Sequence, residues 1–155
     1  EGAPMPTIST VTQADLNDLL PLMRAYCDFY EVDPSDDALE SLSLALIENP
    51  TAEGVQFIGR NDDGDAIGFA TVFWSWATTS GGRQAIMHDL FVTEAARGTG
   101  IARSLIDRCV EAAAERGCVG LIWQTALDND RAQKLYDRTG AEKSTWHEYG
   151  IEIPQ

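Results

Sequence analysis

An α/β domain is the fold class this sequence predicts, with elements in the order βααβββαβαββ around a mixed, mostly antiparallel sheet of seven strands. Three observations carry that reading. Apolar residues recur at helical spacing in four stretches. Runs rich in Val, Ile, Phe and Trp, bounded by Gly and Asp turns, read as strands between them. Three consecutive strands connect through tight turns and the next is reached only across a helix, so an antiparallel meander leads into a parallel crossover.

Ile8 to Val11 reads as the first strand. Thr12 with Asp15 three residues on forms an N-cap pair, and Leu16, Leu19, Leu20, Met23 and Cys27 line one face of a helix running to about Tyr30. Pro34 breaks it. Ser35 or Asp36 caps a second helix, with Leu39, Leu42, Leu46 and Ile47 inward, ended by Asn49-Pro50. Val55 to Gly59 is a strand, Asp62 to Asp65 a turn, Ala66 to Thr78 a long strand, Ser80 to Gly82 a turn, and Gln84 to Val92 the next strand. A helix follows to about Arg116, closed by Gly117. Val119 to Thr125 reads as a strand and Asn129 to Thr139 as a helix ended by Gly140. Two short strands close the chain, around Glu142 to Thr145 and His147 to Ile153.

The 155 residues suit one domain spanning 1–155, with Glu1 to Pro4 read as a cloning remnant before a natural start at Met5. No run is long and apolar enough for a membrane span, and no signal peptide is visible. Cys27, Cys109 and Cys118 are odd in number and lack metal-ligand spacing, which points to free thiols in a reducing cytoplasm and to no metal site. The net charge is −14, which disfavours nucleic acid as a partner. It is uneven. Residues 1–96 hold sixteen acids against three bases, and residues 97–155 hold nine against eight.

The sharpest local signal is Arg97-Gly98-Thr99-Gly100-Ile101-Ala102, between a strand and a helix. Small residues allow close backbone approach, and a helix N-terminus offers unpaired donors and partial positive charge, a combination suited to pyrophosphate. It is not a Walker loop, since no Gly-Lys-Ser/Thr follows. It is not a dinucleotide fingerprint, since Arg103 stands where the third Gly belongs. The segment resembles the coenzyme A motif of the GNAT superfamily of N-acetyltransferases, Arg/Gln-x-x-Gly-x-Gly/Ala. The strand His88-Asp89-Leu90-Phe91-Val92 before it, and Asn129 through Ala132 to Leu135-Tyr136 and Gly140-Ala141 after it, resemble the family's flanking motifs. The resemblance covers essentially the whole chain. It implies helices on both faces of the sheet and acetyl-CoA as co-substrate. By the same resemblance, the backbone of Leu90, Phe91 and Val92 holds the pantetheine arm. The loop Arg97 to Arg103 (Arg97, Gly98, Thr99, Gly100, Ile101, Ala102, Arg103) binds the pyrophosphate, while Asn129 and Ala132 line the coenzyme's other side. Bases from Arg97 onward would flank the anionic coenzyme, with Arg108 and Arg116 read as solvated helix faces.

Acetyl transfer needs a neutral amine, and deprotonating an alkylammonium of pKa ~10.4 at pH 7 costs ~4.6 kcal/mol. Tyr136 stands at the family's tyrosine position and is the expected acid for the departing thiolate. His88, where related polyamine enzymes carry Glu, is the expected base, with Glu31 and Glu148 as alternatives acting through water. Strand alternation turns Asp89 to the core side. The closest resemblance is to the diamine (polyamine) and histone-and-polyamine branch, through Tyr26 to Glu31, the His88 strand and the tail from Trp146. The expected acceptor is a primary amine on a small cation, a polyamine or amino acid, attacked directly in a ternary complex. Its contacts would include Tyr30, Glu31, Trp76 and Glu148. Glu31, Asp33, Asp36 and Asp37 would draw cations in, or serve only as a solvated helix start. Trp74 and Trp76 share a face and either wall the cleft or belong to the core. A protein lysine or N-terminal acetyltransferase and a non-catalytic acyl-CoA sensor are the alternatives. The resemblance also implies a homodimer.

Overall fold

The structure, a computed structural model, describes residues 6–155, so the reading of Glu1 to Pro4 lies outside the described residues. Two compact units make up the chain, one through Gln124 and one from Thr125 to Gln155.

The first unit is a five-stranded sheet with helices on both faces. Its strands are β1 (Thr7–Thr10), β2 (Gly54–Arg60), β3 (Ala66–Ala77), β4 (Gly82–Val92) and β5 (Gly120–Ile122), in spatial order β1-β2-β3-β4-β5. The first three pairings are antiparallel, and β4 pairs β5 in parallel across the helix between them. That helix is α3 (Ile101–Glu115); α1 (Leu16–Phe29) and α2 (Asp36–Glu48) precede β2.

Each boundary has a local cause. Thr12 and Asp15 open the way into α1, with the Thr12 backbone N–H donating to Asp15 Oδ2 at 2.9 Å. Ser35 Oγ accepts from the Ala38 N–H at 3.1 Å and caps α2. Asn61 Oδ1 accepts from the N–H groups of Asp63 and Asp65, folding the β2–β3 turn around a side chain.

Successive side chains of a strand face opposite sides, and each side of this sheet has its own helices. Val11, Leu16, Leu19, Leu22, Met23, Cys27 and Leu39 close over Ile58 and Phe69 on one face. Leu19 is fully buried, a burial that contributes about 1.5–3 kcal/mol. On the other face lies α3. A Cβ on Gly59 would come within 2.6 Å of Ile101 Cδ1, so a glycine in β2 lets the start of α3 sit tight on the sheet. Farther along α3, Arg108 stacks over Phe57 at 4.7 Å, and Arg116 donates to the Thr51 carbonyl at 2.8 Å. Both arginines tie the helix to its surroundings, where the sequence suggested solvated faces.

The second unit holds α4 (Asp130–Asp137), followed by Gly140 at φ 84°. Residues 141–155 carry neither helix nor strand and are exposed throughout. The two closing strands expected around Glu142 to Thr145 and His147 to Ile153 are therefore not formed, and among the described residues the sheet has five strands instead of seven. Alternating side chains give a segment only a propensity; a strand exists through its ladder partner, and this segment has none among the described residues.

Candidate functional site

The register of the β3–β4 ladder slips by one residue. Thr71 stands opposite Asp89 while Val72 stands opposite Met87, so His88 is an extra residue in β4, a β-bulge. On its other edge, β4 pairs β5 only over Gln84–Ile86. From Met87 to Val92 the strand has β3 on one side and, among the described residues, no paired strand on the other. The Thr93 N–H donates to Ile67 O at 2.9 Å, toward β3. Amides alternate along a strand, so the N–H of Phe91 also faces β3, and those of Leu90 and Val92 face the open edge. Such an edge offers donors to an elongated ligand.

Just beyond the strand, a single 3-10 turn at Glu94–Ala96 is anchored by the buried Ala96. The loop then runs through Arg97, Gly98, Thr99 and Gly100, all exposed. Gly98 and Gly100 have φ of 80° and 87°, a left-handed region that side chains adopt only with strain. Thr99 closes the turn, its hydroxyl donating to Ala96 O. Gly100 is the N-cap of α3 and has no side chain to cap it, so the first amides of the helix, at Ile101 and Ala102, are left to a ligand or solvent. The buried Ile101 fixes their direction. A Cβ at Gly98 or Gly100 would meet nothing within 4 Å. Open space, left-handed backbone and an uncapped fifteen-residue helix together fit a pyrophosphate. The Arg103 guanidinium pairs through Nε with Asp107 at 3.0 Å, one turn along α3.

The end of α1 covers the bulge. The Tyr26 ring packs on Tyr30 at 4.9 Å, and Tyr30 on Phe29 at 5.2 Å. The Tyr26 hydroxyl donates to the His88 carbonyl at 3.4 Å, and the Asp89 carboxylate lies close enough to act on it. Burial first, and the Asp89 charge next, push the Tyr26 phenol far above its ordinary pKa, so it stays a neutral donor. Asp89 is 14% exposed and His88 67% exposed, yet Asp89 Oδ1 sits 3.4 Å from His88 Nδ1. The bulge explains this: Asp89 turns inward, as alternation expects, while the extra residue keeps the imidazole beside it. The His88 ring also meets Phe73 edge-on at 5.6 Å.

Tyr30 and Glu31 thus stand near this cluster, at the end of α1. Glu31 adopts φ 57°, left-handed without being glycine. The acidic residues beyond it are partly neutralised, because Arg24 pairs with Asp33 at 3.0 Å and Asp36 at 2.6 Å. Trp76 does not join them. It pairs across the hairpin with Arg83, whose guanidinium covers its ring at 4.2 Å. Five residues of strand separate Arg83 from His88, about 17 Å. Trp74 donates its indole N–H to Pro50 O at 2.7 Å and is half-buried.

In the second unit, Asn129 Oδ1 accepts from the Ala132 N–H at 3.2 Å and caps α4. Tyr136 is half-buried on α4, and its carbonyl accepts from Thr139. Glu148 lies in the exposed extended segment. The residue that sequence reasoning missed as part of the site is Tyr26. Its four-residue spacing from Tyr30 places both on one helix face, a signal that was present.

The family model described as "Acetyltransferase (GNAT) family" matches residues 19–141. An uncharacterized N-acetyltransferase of Bacillus subtilis (strain 168), YhfO, is 30% identical over 93% of this chain and 97% of its own. The thialysine N-epsilon-acetyltransferase of Bos taurus is 27% identical over 94% and 91%. The solved aminoglycoside N-acetyltransferase AAC(6')-Iy in complex with CoA superposes with a TM-score of 0.82 at 20% identity, over 97% of each chain.

Proposed function

The chain belongs to the acetyltransferase (GNAT) family and is an acyltransferase, and from that premise we propose that it moves the acetyl group of acetyl-CoA onto the primary amine of a small cation, a polyamine or an amino acid. Enzymes of this family use acetyl-CoA. The observation that carries the assignment is the continuous run of donors from the open edge of β4, at Leu90 and Val92, to the glycine loop and the uncapped start of α3.

Acetyl-CoA, when bound, supplies a thioester carbonyl to the attacking amine and leaves as a free thiol. The Leu90 and Val92 amides are the donors for the negative charge that develops on the carbonyl oxygen. Gly98, Thr99 and Gly100, with the Ile101, Ala102 and Arg103 amides, hold the pyrophosphate, and Arg97 adds charge beside them. Phe91 and the Asn129 and Ala132 turn contribute to coenzyme binding. His88, exposed at the bulge, takes the ammonium proton, a removal that costs ~4.6 kcal/mol from an alkylammonium at pH 7. Tyr136 returns a proton to the departing sulfur.

For the acceptor, the relative that acts on thialysine supports a small cationic amine. So does the acidic N-terminal part of the chain, with sixteen acids against three bases up to residue 96. Tyr30, stacked on Tyr26, and the adjacent Glu31 are the contacts we assign to it; Trp76 and Glu148 have weaker support, the first because Arg83 already covers its ring. A second copy of the chain is the partner we assign to the exposed tail, where Trp146, Tyr149, Ile151 and Ile153 are 73–92% exposed. The three free cysteines suit a reducing compartment such as the cytoplasm.

Initial rates over a matrix of acetyl-CoA and thialysine, spermidine or a lysine peptide test the reading. Intersecting double-reciprocal lines with a small amine support direct attack in a ternary complex. Parallel lines contradict it, and turnover with the peptide alone moves the acceptor to protein.

A further inference from the structure

Resting on the reading of His88 as the base, we infer that Asp89 is its positioning residue, held in place by Tyr26 and brought alongside the imidazole by the β4 bulge. A strand without the bulge turns neighbouring side chains to opposite faces and keeps residues 88 and 89 apart. Here the extra residue falls at His88, and Asp89 Oδ1 comes within 3.4 Å of His88 Nδ1. The carboxylate is largely sheltered, the imidazole largely exposed, at 14% and 67%. That asymmetry is what an orienting pair needs: a sheltered acceptor beside an exposed imidazole.

The anchoring is visible from α1. The Tyr26 hydroxyl donates to the His88 carbonyl at 3.4 Å, the peptide that joins the two residues of the bulge, and lies near the Asp89 carboxylate. Tyr26 is itself fixed by ring contacts with Phe69 at 5.9 Å and Phe91 at 6.4 Å. Burial keeps its phenol protonated, so it remains a donor and does not compete with Asp89 for negative charge. The groups around the pair are Tyr26, Cys27 and Tyr30 from α1 and the uncharged Phe73 ring from β3. Asp89 itself is a charged neighbour of the imidazole.

The consequence is a tautomer. A carboxylate at Nδ1 selects the Nδ1–H form of neutral imidazole and leaves Nε2 as the basic nitrogen. It also stabilises the imidazolium that forms when Nε2 takes a proton. Asp89 touches neither substrate in this arrangement and acts through His88.

The test is 15N NMR of the imidazoles across pH, on the full chain, with initial rates for acetyl-CoA and thialysine. The second histidine, His147, is an internal control. Asp89→Asn keeps the size of the side chain and removes the charge. It is expected to lower the His88 midpoint by about 0.5–1 pH unit, to reduce the Nδ1–H population, and to shift the acidic limb of kcat/KM by the same amount. The KM for acetyl-CoA and the His147 midpoint stay put, and Asp89→Glu restores part of the shift. If Asp89→Asn leaves the His88 midpoint and tautomer as in the wild type, while His88→Gln abolishes the acidic limb, the inference is overturned and the base assignment stands. If His88→Gln keeps the acidic limb, the base assignment falls and the inference with it.

Discussion

Replacing Gly100 with alanine isolates what the glycine loop contributes. At φ 87° an alanine suffers a left-handed penalty of about 1–2 kcal/mol, and since its Cβ would meet nothing within 4 Å, crowding adds nothing. The free protein can relieve the strain by rotating the peptide ahead of α3. That rotation turns the first helical amides away from the position suited to a pyrophosphate. If binding must restore the strained geometry, the penalty appears in the affinity for acetyl-CoA, and 1–2 kcal/mol corresponds to about a five- to thirty-fold rise in Kd. Gly81 supplies the control. It also has positive φ, at 63°, and open space around its Cβ, but it sits in the β3–β4 hairpin turn. Both variants should lose ~1 kcal/mol of stability, or about 2–4 °C in Tm for a chain of this size. Only Gly100→Ala should weaken acetyl-CoA in a calorimetric titration. Equal affinities in the two variants would refute the loop's role as the pyrophosphate cradle.

Three further outcomes are expected. Tyr136→Phe should lower kcat by ~10²-fold with little change in acetyl-CoA affinity, and an unchanged kcat in stopped-time assays removes the phenol from the mechanism. At Asp15, burial pulls the carboxyl pKa upward, but hydrogen bonds from Thr12 and Arg60 outweigh it and hold the group below its ordinary value of 3.8. Its stabilisation is complete above that value and is lost as pH falls through the lowered one, so Asp15→Asn should cost ~1 kcal/mol in urea at pH 7 and progressively less as pH falls below 3.8. At Glu31, φ 57° tolerates glycine and penalises β-branching, so Glu31→Gly should unfold at a higher temperature than Glu31→Val, by a few degrees for a difference of ~1–2 kcal/mol.

What the sequence made legible follows from what is local. Helical spacing and caps placed α1 to α3 within a residue or two, because Thr12, Ser35 and Gly117 act on their own neighbours. The glycine loop was equally readable, since left-handed φ at Gly98 and Gly100 is a property of those residues. Features that depend on pairing were not. The bulge at His88 is a relation between β3 and β4, and no residue in either strand announces it. The alternation of Tyr149, Ile151 and Ile153 resembles a strand, yet no ladder forms around it among the described residues. The acidic cluster after α1 reads either as a cation attractor or as a solvated helix start, because its partner, Arg24, is nine residues before Asp33 and comes back only when the chain turns. Trp76 reads either as a wall for the acceptor or as core, and its cross-strand neighbour Arg83 can be matched to it only through the hairpin register.

Mass spectrometry of the products tests the central claim most directly. The protein is incubated with acetyl-CoA and an equimolar mixture of thialysine, spermidine and a lysine peptide, and every component is weighed before and after. The account predicts that a small amine gains one acetyl group, with release of one CoA thiol for each, and that the peptide and the protein stay unmodified. Acetylation of the peptide in preference to both small amines, or thiol release without any acetylated amine, would contradict it.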